Sequence, residues 1–343
     1  MRRALLPLFM LFIGLAACGG PDPRAPFTDS RIPPGLEHRF HPPQGWAWGL
    51  LKVGEAPTIR YGVSAPGSAP RAQVLILTGF GEPAETWFET VRDLNSHGYA
   101  VWVMEPAGQG GSGRYSSIRD LGHAKSLDPD VGALLAFPAR VARAGPLFVV
   151  ASGTSAPVAV RAATLGLKAQ GLVLSAPVFD AGPADQLEKA RRMRRFGLGA
   201  LRATGGVAWK REGPDDQALG LTHDGVRGKV RLAWQIANPD LRMGGPSWAW
   251  RAALADESAA ARLAEPKVPM ATLVLGGEPK PGSRPCGRIR NCVSVRIPNV
   301  GAAPQLGDDG VRNPWLAAIV GFIEPSGAGV APAPPTGTVD PEG

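Results

Sequence analysis

Serine and threonine cluster at one sharp turn of the chain, where a nucleophile could be placed. An apolar run, Leu147 to Ala151, predicts a buried strand, and a helical pattern resumes at Val158. The small residues 152–156 lie between the two. A strand, a tight turn and a helix are the setting in which a nucleophilic serine is exposed for acyl-transfer chemistry. The candidate nucleophiles that the sequence itself offers here are Ser152 and Ser155.

Alternating strands and helices surround this turn. Residues 46–51 and 58–63 predict an antiparallel leading pair, and apolar runs predict further strands at 73–78, 99–105, 270–275 and 293–298. Helices are predicted at 83–96 and 311–323. Strands that alternate with helices indicate an α/β fold with a mostly parallel central sheet, flanked by helices on both faces. We predict one domain at 45–323 with an inserted cap at 178–255, followed by a disordered Pro/Gly-rich tail at 324–343.

Several segments together resemble a known family. Residues 74–82 (VLILTGFGE), 105–114 (EPAGQGGSGR) and 238–250 (NPDLRMGGPSWAW) resemble the lysophospholipase L2 and monoacylglycerol lipase branch of the α/β-hydrolases, which have a serine aminopeptidase S33-type domain. The family pattern D-x-R-G-x-G-x-S is changed at two positions, to Glu105 and Ala107. The glycines that follow fit no phosphate-binding spacing and are interpreted as turn glycines. The resemblance spans 45–323 and implies the α/β-hydrolase fold.

The resemblance also implies that the catalytic triad is degenerate. The nucleophile, acid and base positions fall on Gly153, Lys280 and Ala302, so no member of a Ser–Asp–His triad is present. Glu278, beside the acid position, is expected to be a solvated loop charge. The absence of a catalytic histidine does not depend on how the chain is aligned with the family pattern, because all five histidines (38, 41, 97, 123 and 223) precede residue 224. Glycine retains the positive φ of the turn without steric cost.

One further feature of this site is expected. The backbone amides of Phe80 and Thr154 would form the oxyanion hole, and they are predicted to remain available to a carbonyl or carboxylate.

The rival interpretation is an active hydrolase in which Ser155, or alternatively Ser152, replaces the lost nucleophile. Either serine would need a base other than the family histidine, and the chain offers only a lysine, a carboxylate or a cap histidine.

The three cysteines suggest an exported protein. Residues 1–17 have a basic start, a short apolar run and small residues before Cys18, which is typical of a lipoprotein signal peptide followed by an acylated cysteine. Gly19 favours the outer membrane, facing the periplasm, and 18–44 is predicted to be a flexible tether. In that compartment Cys286 and Cys292 are expected to form a disulfide. Two thiols without a nearby histidine predict no metal site.

The net charge of the chain bears on which classes of partner are expected. The net charge of +8 comes mostly from arginine, and no basic-aromatic motif accompanies it, so nucleic acid is not expected as a partner. No cofactor is expected either. The sequence predicts a membrane-attached scaffold that binds an acyl lipid or a protein without turning it over, with a lysophospholipase or carboxylesterase as the alternative.

Overall fold

Eight strands form a single twisted sheet in the order β1-β2-β4-β3-β5-β6-β7-β8. The structure is a computed structural model and describes residues 22–142, 145–278 and 284–324. The two pairs that include β2 are antiparallel, and the other pairs are parallel. The strands are β1 (Ala47–Leu51), β2 (Ile59–Ser64), β3 (Ala72–Leu77), β4 (Tyr99–Met104), β5 (Leu147–Ser152), β6 (Gly171–Ser175), β7 (Ala271–Gly276) and β8 (Cys292–Arg296).

Helices cover both faces of this sheet. They are α1 (Phe88–Ser96), α2 (Asp128–Arg140), α3 (Ala156–Thr164), α4 (Ala184–Arg195), α5 (Val230–Ala237), α6 (Trp248–Ala264) and α7 (Asp309–Ile323). Alternate side chains of the central strands enter two separate cores, as the period of two in a strand requires. Leu75 and Val149 pack with α2, α3 and α6 on one face, whereas Val74 and Val150 pack with α1 and α7 on the other. The predicted α/β architecture is confirmed.

The insertion after β6 contains α4 and α5. Its predicted end, residue 255, falls inside α6, a continuous helix that packs against both α3 and α4. The N-cap of α6 is Ser247, whose hydroxyl accepts a hydrogen bond from the Trp250 amide. The predicted boundary therefore divides a continuous helix, whose first turn contains the tryptophans at 248 and 250.

A fully buried arginine organises the loops at the strand ends. The Arg60 guanidinium donates to both oxygens of Glu105, at 2.6 and 2.7 Å, and to both oxygens of Glu85, at 2.9 and 3.0 Å. All three side chains are fully excluded from solvent. A Cβ at Gly111 would lie 2.2 Å from Arg60, and a Cβ at Gly110, which has φ +51°, would lie 2.2 Å from Glu105. These glycines are therefore required by the close approach of the ion network.

A second arginine fixes the insertion to the main domain. Arg227 donates to both oxygens of Glu89 on α1 at 2.9 Å, and to Asp309 at the start of α7 at 2.7 Å. It also donates to the Gly307 carbonyl at 3.1 Å. The Arg227 side chain is only 5 % exposed and that of Glu89 is 12 % exposed, so the bonds to Glu89 are shielded from water, whereas Asp309 is 73 % exposed. The insertion is thus attached to two core helices at one point.

Cys286 and Cys292 form the expected disulfide. It closes a short loop, with a sequence separation of six, immediately before the edge strand β8. The chain-entropy relation gives a stabilisation of about 2 kcal/mol for a loop of this size. We expect the Cys286→Ala/Cys292→Ala variant to lose about this free energy of unfolding in urea titrations. Reducing the wild-type protein should produce the same loss, and an unchanged midpoint in both cases would contradict a stabilising disulfide.

Four segments of the sequence lie outside the described residues, namely 1–21, 143–144, 279–283 and 325–343. They include Cys18 with the predicted signal and the start of the tether, the acid position Lys280, and the tail after residue 324. Among the helices in the described ranges, none is long and apolar enough to cross a membrane.

Candidate functional site

The turn after β5 has the backbone expected of a nucleophile turn. Gly153 has φ +49°, in the left-handed region that favours glycine. Its carbonyl accepts a hydrogen bond from the Val178 amide at 2.9 Å, which connects the turn to the start of the insertion. A Cβ built on Gly153 would have no neighbouring atom within 4 Å. The position has room for a side chain, so the absence of a hydroxyl is not a packing requirement.

A cavity of about 180 Å³ opens beside this turn. We call it the turn cavity. It brings together the predicted nucleophile and base positions, Gly153 and Ala302, with Phe80 and Thr154 of the predicted oxyanion hole. Apolar side chains from a loop after a strand, the insertion and the segment before α7 form much of its wall. They are Phe80, Val178, Leu221, Ala303 and Leu306. The geometry of a hydrolase site is therefore present around a missing triad.

The oxyanion hole differs from the expectation in one respect. The Phe80 amide donates a 2.9 Å hydrogen bond to the hydroxyl of Thr154. The prediction that this amide would be available to a ligand carbonyl is therefore wrong in the present conformation, because the donor already has an internal acceptor. The Thr154 amide lies in the first turn of the helical segment after β5, where N–H groups have no partner within the helix. One of the two expected donors remains.

The two serines that could replace the lost nucleophile, Ser152 and Ser155, are both buried, and both hydroxyls donate hydrogen bonds within the protein. The Ser155 hydroxyl donates to the Thr78 carbonyl at 2.6 Å, and its residue is 4 % exposed. The Ser152 hydroxyl donates to Glu82 at 3.1 Å, and its residue is fully buried. Neither serine is among the residues that line the turn cavity. Among the described residues no lysine is bonded to Ser155, and Ser152 has a carboxylate beside it but does not line the cavity.

The acid and base positions offer no catalytic group within the described residues. Glu278 forms an ion pair with Arg296 at 2.6 Å, and both side chains are more than 60 % exposed. This is the solvated loop charge predicted from the sequence. His123 contacts the Ser247 hydroxyl at 2.9 Å away from the cavity lining, and burial lowers its pKa. His223 is exposed.

The cavity does contain charged groups that the sequence analysis missed. Glu82 accepts hydrogen bonds from the Gly79 amide at 2.9 Å and from Ser152, yet desolvation raises its pKa. Asp216, from the insertion, accepts from the Arg231 side chain at 2.6 Å. Desolvation also raises the pKa of Asp216, and the Arg231 charge opposes that rise. Of these two acids, only Glu82 could have been suspected from the sequence, because it follows the glycine turn after an apolar strand.

Gln305 is a further unpredicted feature of the cavity wall. Its side chain is 1 % exposed, and neither its amide oxygen nor its amide nitrogen has a hydrogen-bond partner within the described part of the chain. A buried amide without partners costs roughly 1–3 kcal/mol per unsatisfied group. Within the described ranges, no group of three potential metal-binding side chains is found. Among the described residues, the lining of the turn cavity includes no serine, cysteine or histidine.

Comparisons with known proteins agree with this geometry. The family model described as serine aminopeptidase, S33, matches residues 68–281. A monoglyceride lipase from Saccharomyces cerevisiae is similar in structure, with a TM-score of 0.60 and 15% identity over 88% of this chain and 97% of that one. A monoacylglycerol lipase from Paleococcus ferrophilus has a TM-score of 0.58 and 18% identity over 76% and 96%. At these identities the structures establish the shared fold. The comparison with curated proteins finds no match.

Proposed function

We infer that this chain, which belongs to the serine aminopeptidase S33 family, uses the α/β-hydrolase fold to bind a ligand without hydrolysing it. One observation carries the inference. The Phe80 amide, which would stabilise an oxyanion, donates instead to Thr154 beside a glycine at the nucleophile position. Acyl transfer needs an attacking group and a donor aimed at the developing negative charge. At this turn the attacking group is absent and one of the two expected donors is already occupied.

The turn cavity supports an acyl lipid as the ligand. Its walls are mostly apolar, and burial of apolar surface is the main favourable term in such binding. Gln305 adds an amide that a carbonyl or hydroxyl of the ligand could satisfy. The volume of about 180 Å³ is below the roughly 300–1,000 Å³ of sites that enclose drug-sized molecules. We therefore propose that the cavity takes one end of an acyl chain or a small part of a protein partner.

We also propose that the domain acts at a membrane. The support is the sequence alone, in which a signal-like segment ends at Cys18. An acylated Cys18 would anchor the chain to the outer membrane, facing the periplasm. In that arrangement the domain would act as a lipid- or protein-binding scaffold close to the bilayer. The prediction that all of 18–44 is a flexible tether is wrong, because Phe40 is buried in a cluster with Trp234 and the Arg31 backbone is hydrogen-bonded to Asn238.

The second candidate is an esterase or lysophospholipase with a relocated nucleophile. One specific observation favours this candidate: the Glu82 carboxyl lies 3.1 Å from the Ser152 hydroxyl. Ser155 has no comparable support, since its hydroxyl donates to a backbone carbonyl. An active Ser152 would have to become exposed to the turn cavity, because the residue is fully buried.

Hydrolysis assays separate the two candidates. We expect the full-length chain to show no turnover of short-chain aryl esters or lysophospholipid, and no labelling by a fluorophosphonate. The physical reason is that the described residues lining the turn cavity include no serine, cysteine or histidine that could act as a nucleophile or base. A monoacylglycerol lipase assayed in parallel would show that the substrates and the probe are competent.

Three serine variants identify any activity that does appear. Ser152→Ala and Ser155→Ala each remove one candidate nucleophile, and Ser117→Ala removes an exposed serine as the matched control. Turnover and labelling that are lost in Ser152→Ala or Ser155→Ala, but kept in Ser117→Ala, would overturn the non-catalytic proposal.

A further inference from the structure

A second cavity, of about 280 Å³, lies within the insertion. We call it the cap cavity. It is formed by the glycine-rich segment 205–214, one face of α5, the segment 243–246 and Arg251 in the first turn of α6. Arg231 lines both this cavity and the turn cavity. No role in the hydrolase chemistry requires the cap cavity, so its chemistry can be considered separately.

The charge on its wall has one sign. Three cationic residues line the cap cavity, Lys210, Arg231 and Arg251, and its lining contains no aspartate or glutamate. Arg231 is paired with Asp216, which lies outside this lining. Arg251 is half-buried and contacts the Trp248 ring at 5.9 Å, and within the described ranges it has no carboxylate partner. Lys210 likewise has no ion pair there.

Nearby acids are already neutralised or lie outside the lining. Asp120, behind the segment 243–246, accepts from Arg202 at 3.0 Å and from the Trp209 amide at 2.8 Å. Glu212 and Asp215 belong to the same loop as Lys210 but do not line the cavity. The excess positive charge is therefore not cancelled within the wall itself.

A buried amide adds an independent observation. Gln235 lines the cap cavity and is 3 % exposed. Its oxygen accepts from the Trp209 indole at 2.8 Å, which fixes the amide orientation, and its nitrogen has no acceptor within the described residues. Buried donors in proteins are nearly always paired. The buried Gln235 nitrogen is a donor that lacks a partner, and the half-buried Arg251 and the exposed Lys210 add donors without a carboxylate partner, so the group that would complement this wall is an acceptor.

The rest of the wall is apolar. Val207, Leu219, Leu232, Met243 and the Trp209 ring surround the cationic groups, and Val207 and Leu219 are about half exposed or more. We propose that the cap cavity is a binding site for an amphiphilic anion, in which a carboxylate or phosphate head group is joined to an apolar chain. Guanidinium groups bind both head groups by charge-assisted hydrogen bonds. The site goes beyond the function proposed for the turn cavity and does not depend on whether that cavity is catalytic.

Calorimetric titration of the full-length chain tests this site. Four eight-carbon ligands are compared below their micelle-forming concentrations: octanoate, octyl phosphate, octanol and octylammonium. We expect both anions to bind at least tenfold more tightly than octanol and octylammonium. Tighter binding of octyl phosphate would identify a phosphate head group, and equal or tighter binding of octanoate would identify a fatty acid. Inorganic phosphate and acetate should bind at least tenfold more weakly than their octyl counterparts.

Matched variants locate the site. Arg251→Met should weaken binding of the anions tenfold or more, and Arg251→Lys should retain part of the affinity because it retains the charge. Arg195→Met removes the same charge from an exposed position on α4 and should leave the affinity unchanged. Circular dichroism would verify that each variant is folded. Equal binding of octanol, equal binding of the inorganic ions, or an unchanged affinity in Arg251→Met would each overturn the proposal.

Discussion

Arg60→Met should reduce the free energy of unfolding by about 3–5 kcal/mol. Removing the guanidinium leaves the carboxylates of Glu85 and Glu105 buried without their cation. Removal of one partner from a buried ion network is costly, because the remaining charges can neither reach water nor find a counter-ion. Urea-induced unfolding followed by circular dichroism would measure the loss.

An exposed pair provides the control for Arg60. Arg296→Met removes a guanidinium that pairs with Glu278 at the surface, where both partners are largely hydrated. This variant should change the free energy of unfolding by less than about 0.5 kcal/mol. A loss below about 1 kcal/mol in Arg60→Met would show that the two carboxylates find other partners, and it would contradict the assigned role of the network.

Asp130→Asn should make the protein less sensitive to pH between about pH 4 and pH 7. The Asp130 carboxyl is buried on α2, accepts a 2.7 Å hydrogen bond from the Ala107 amide, and has a pKa that desolvation raises to about 7. An unfolded chain has an aspartate pKa of about 4. In this window the folded protein therefore binds more protons at this site than the unfolded protein, and stability falls as the pH rises.

The expected difference can be measured by comparison at several pH values. Asparagine can still accept from the Ala107 amide but does not ionise, so the stability of the variant relative to wild type should increase with pH, by on the order of 1–4 kcal/mol across the window. Urea titrations at three pH values would measure this change. Asp180→Asn, at an exposed position, is the control for removing a surface carboxylate. Parallel stability curves for wild type and Asp130→Asn would contradict a buried, neutral Asp130.

The fold could be predicted largely from local patterns. Apolar runs such as 73–78 and 99–105 predict buried strands, which the structure has as β3 and β4 with ends that differ by one residue. Gly153 could be placed because a strand and a helix bracket the turn so closely. The predicted end of the insertion falls within α6, because the tryptophans that begin this helix resemble those within the cap.

The content of the site was less predictable, because it depends on contacts between distant segments. Glu82 and Asp216 line one cavity although 134 residues separate them, and no local pattern relates an acid after β3 to one in the insertion. The bond from the Phe80 amide to Thr154 depends on the side-chain conformation of a single threonine. Sequence reasoning could locate the turn, but it could not determine which of its donors were already occupied.

The position of Arg227 has a consequence for ligand exchange. Because its guanidinium joins the insertion to both α1 and α7, a hinged opening of the whole insertion would have to break several bonds together, and those to Glu89 are shielded from water. The insertion, which lines both cavities, is therefore held to the main domain at Arg227. Ligands would enter and leave through local fluctuations near the exposed Ala302, so the speed of exchange would reflect the size of that opening and not a slow swing of a lid.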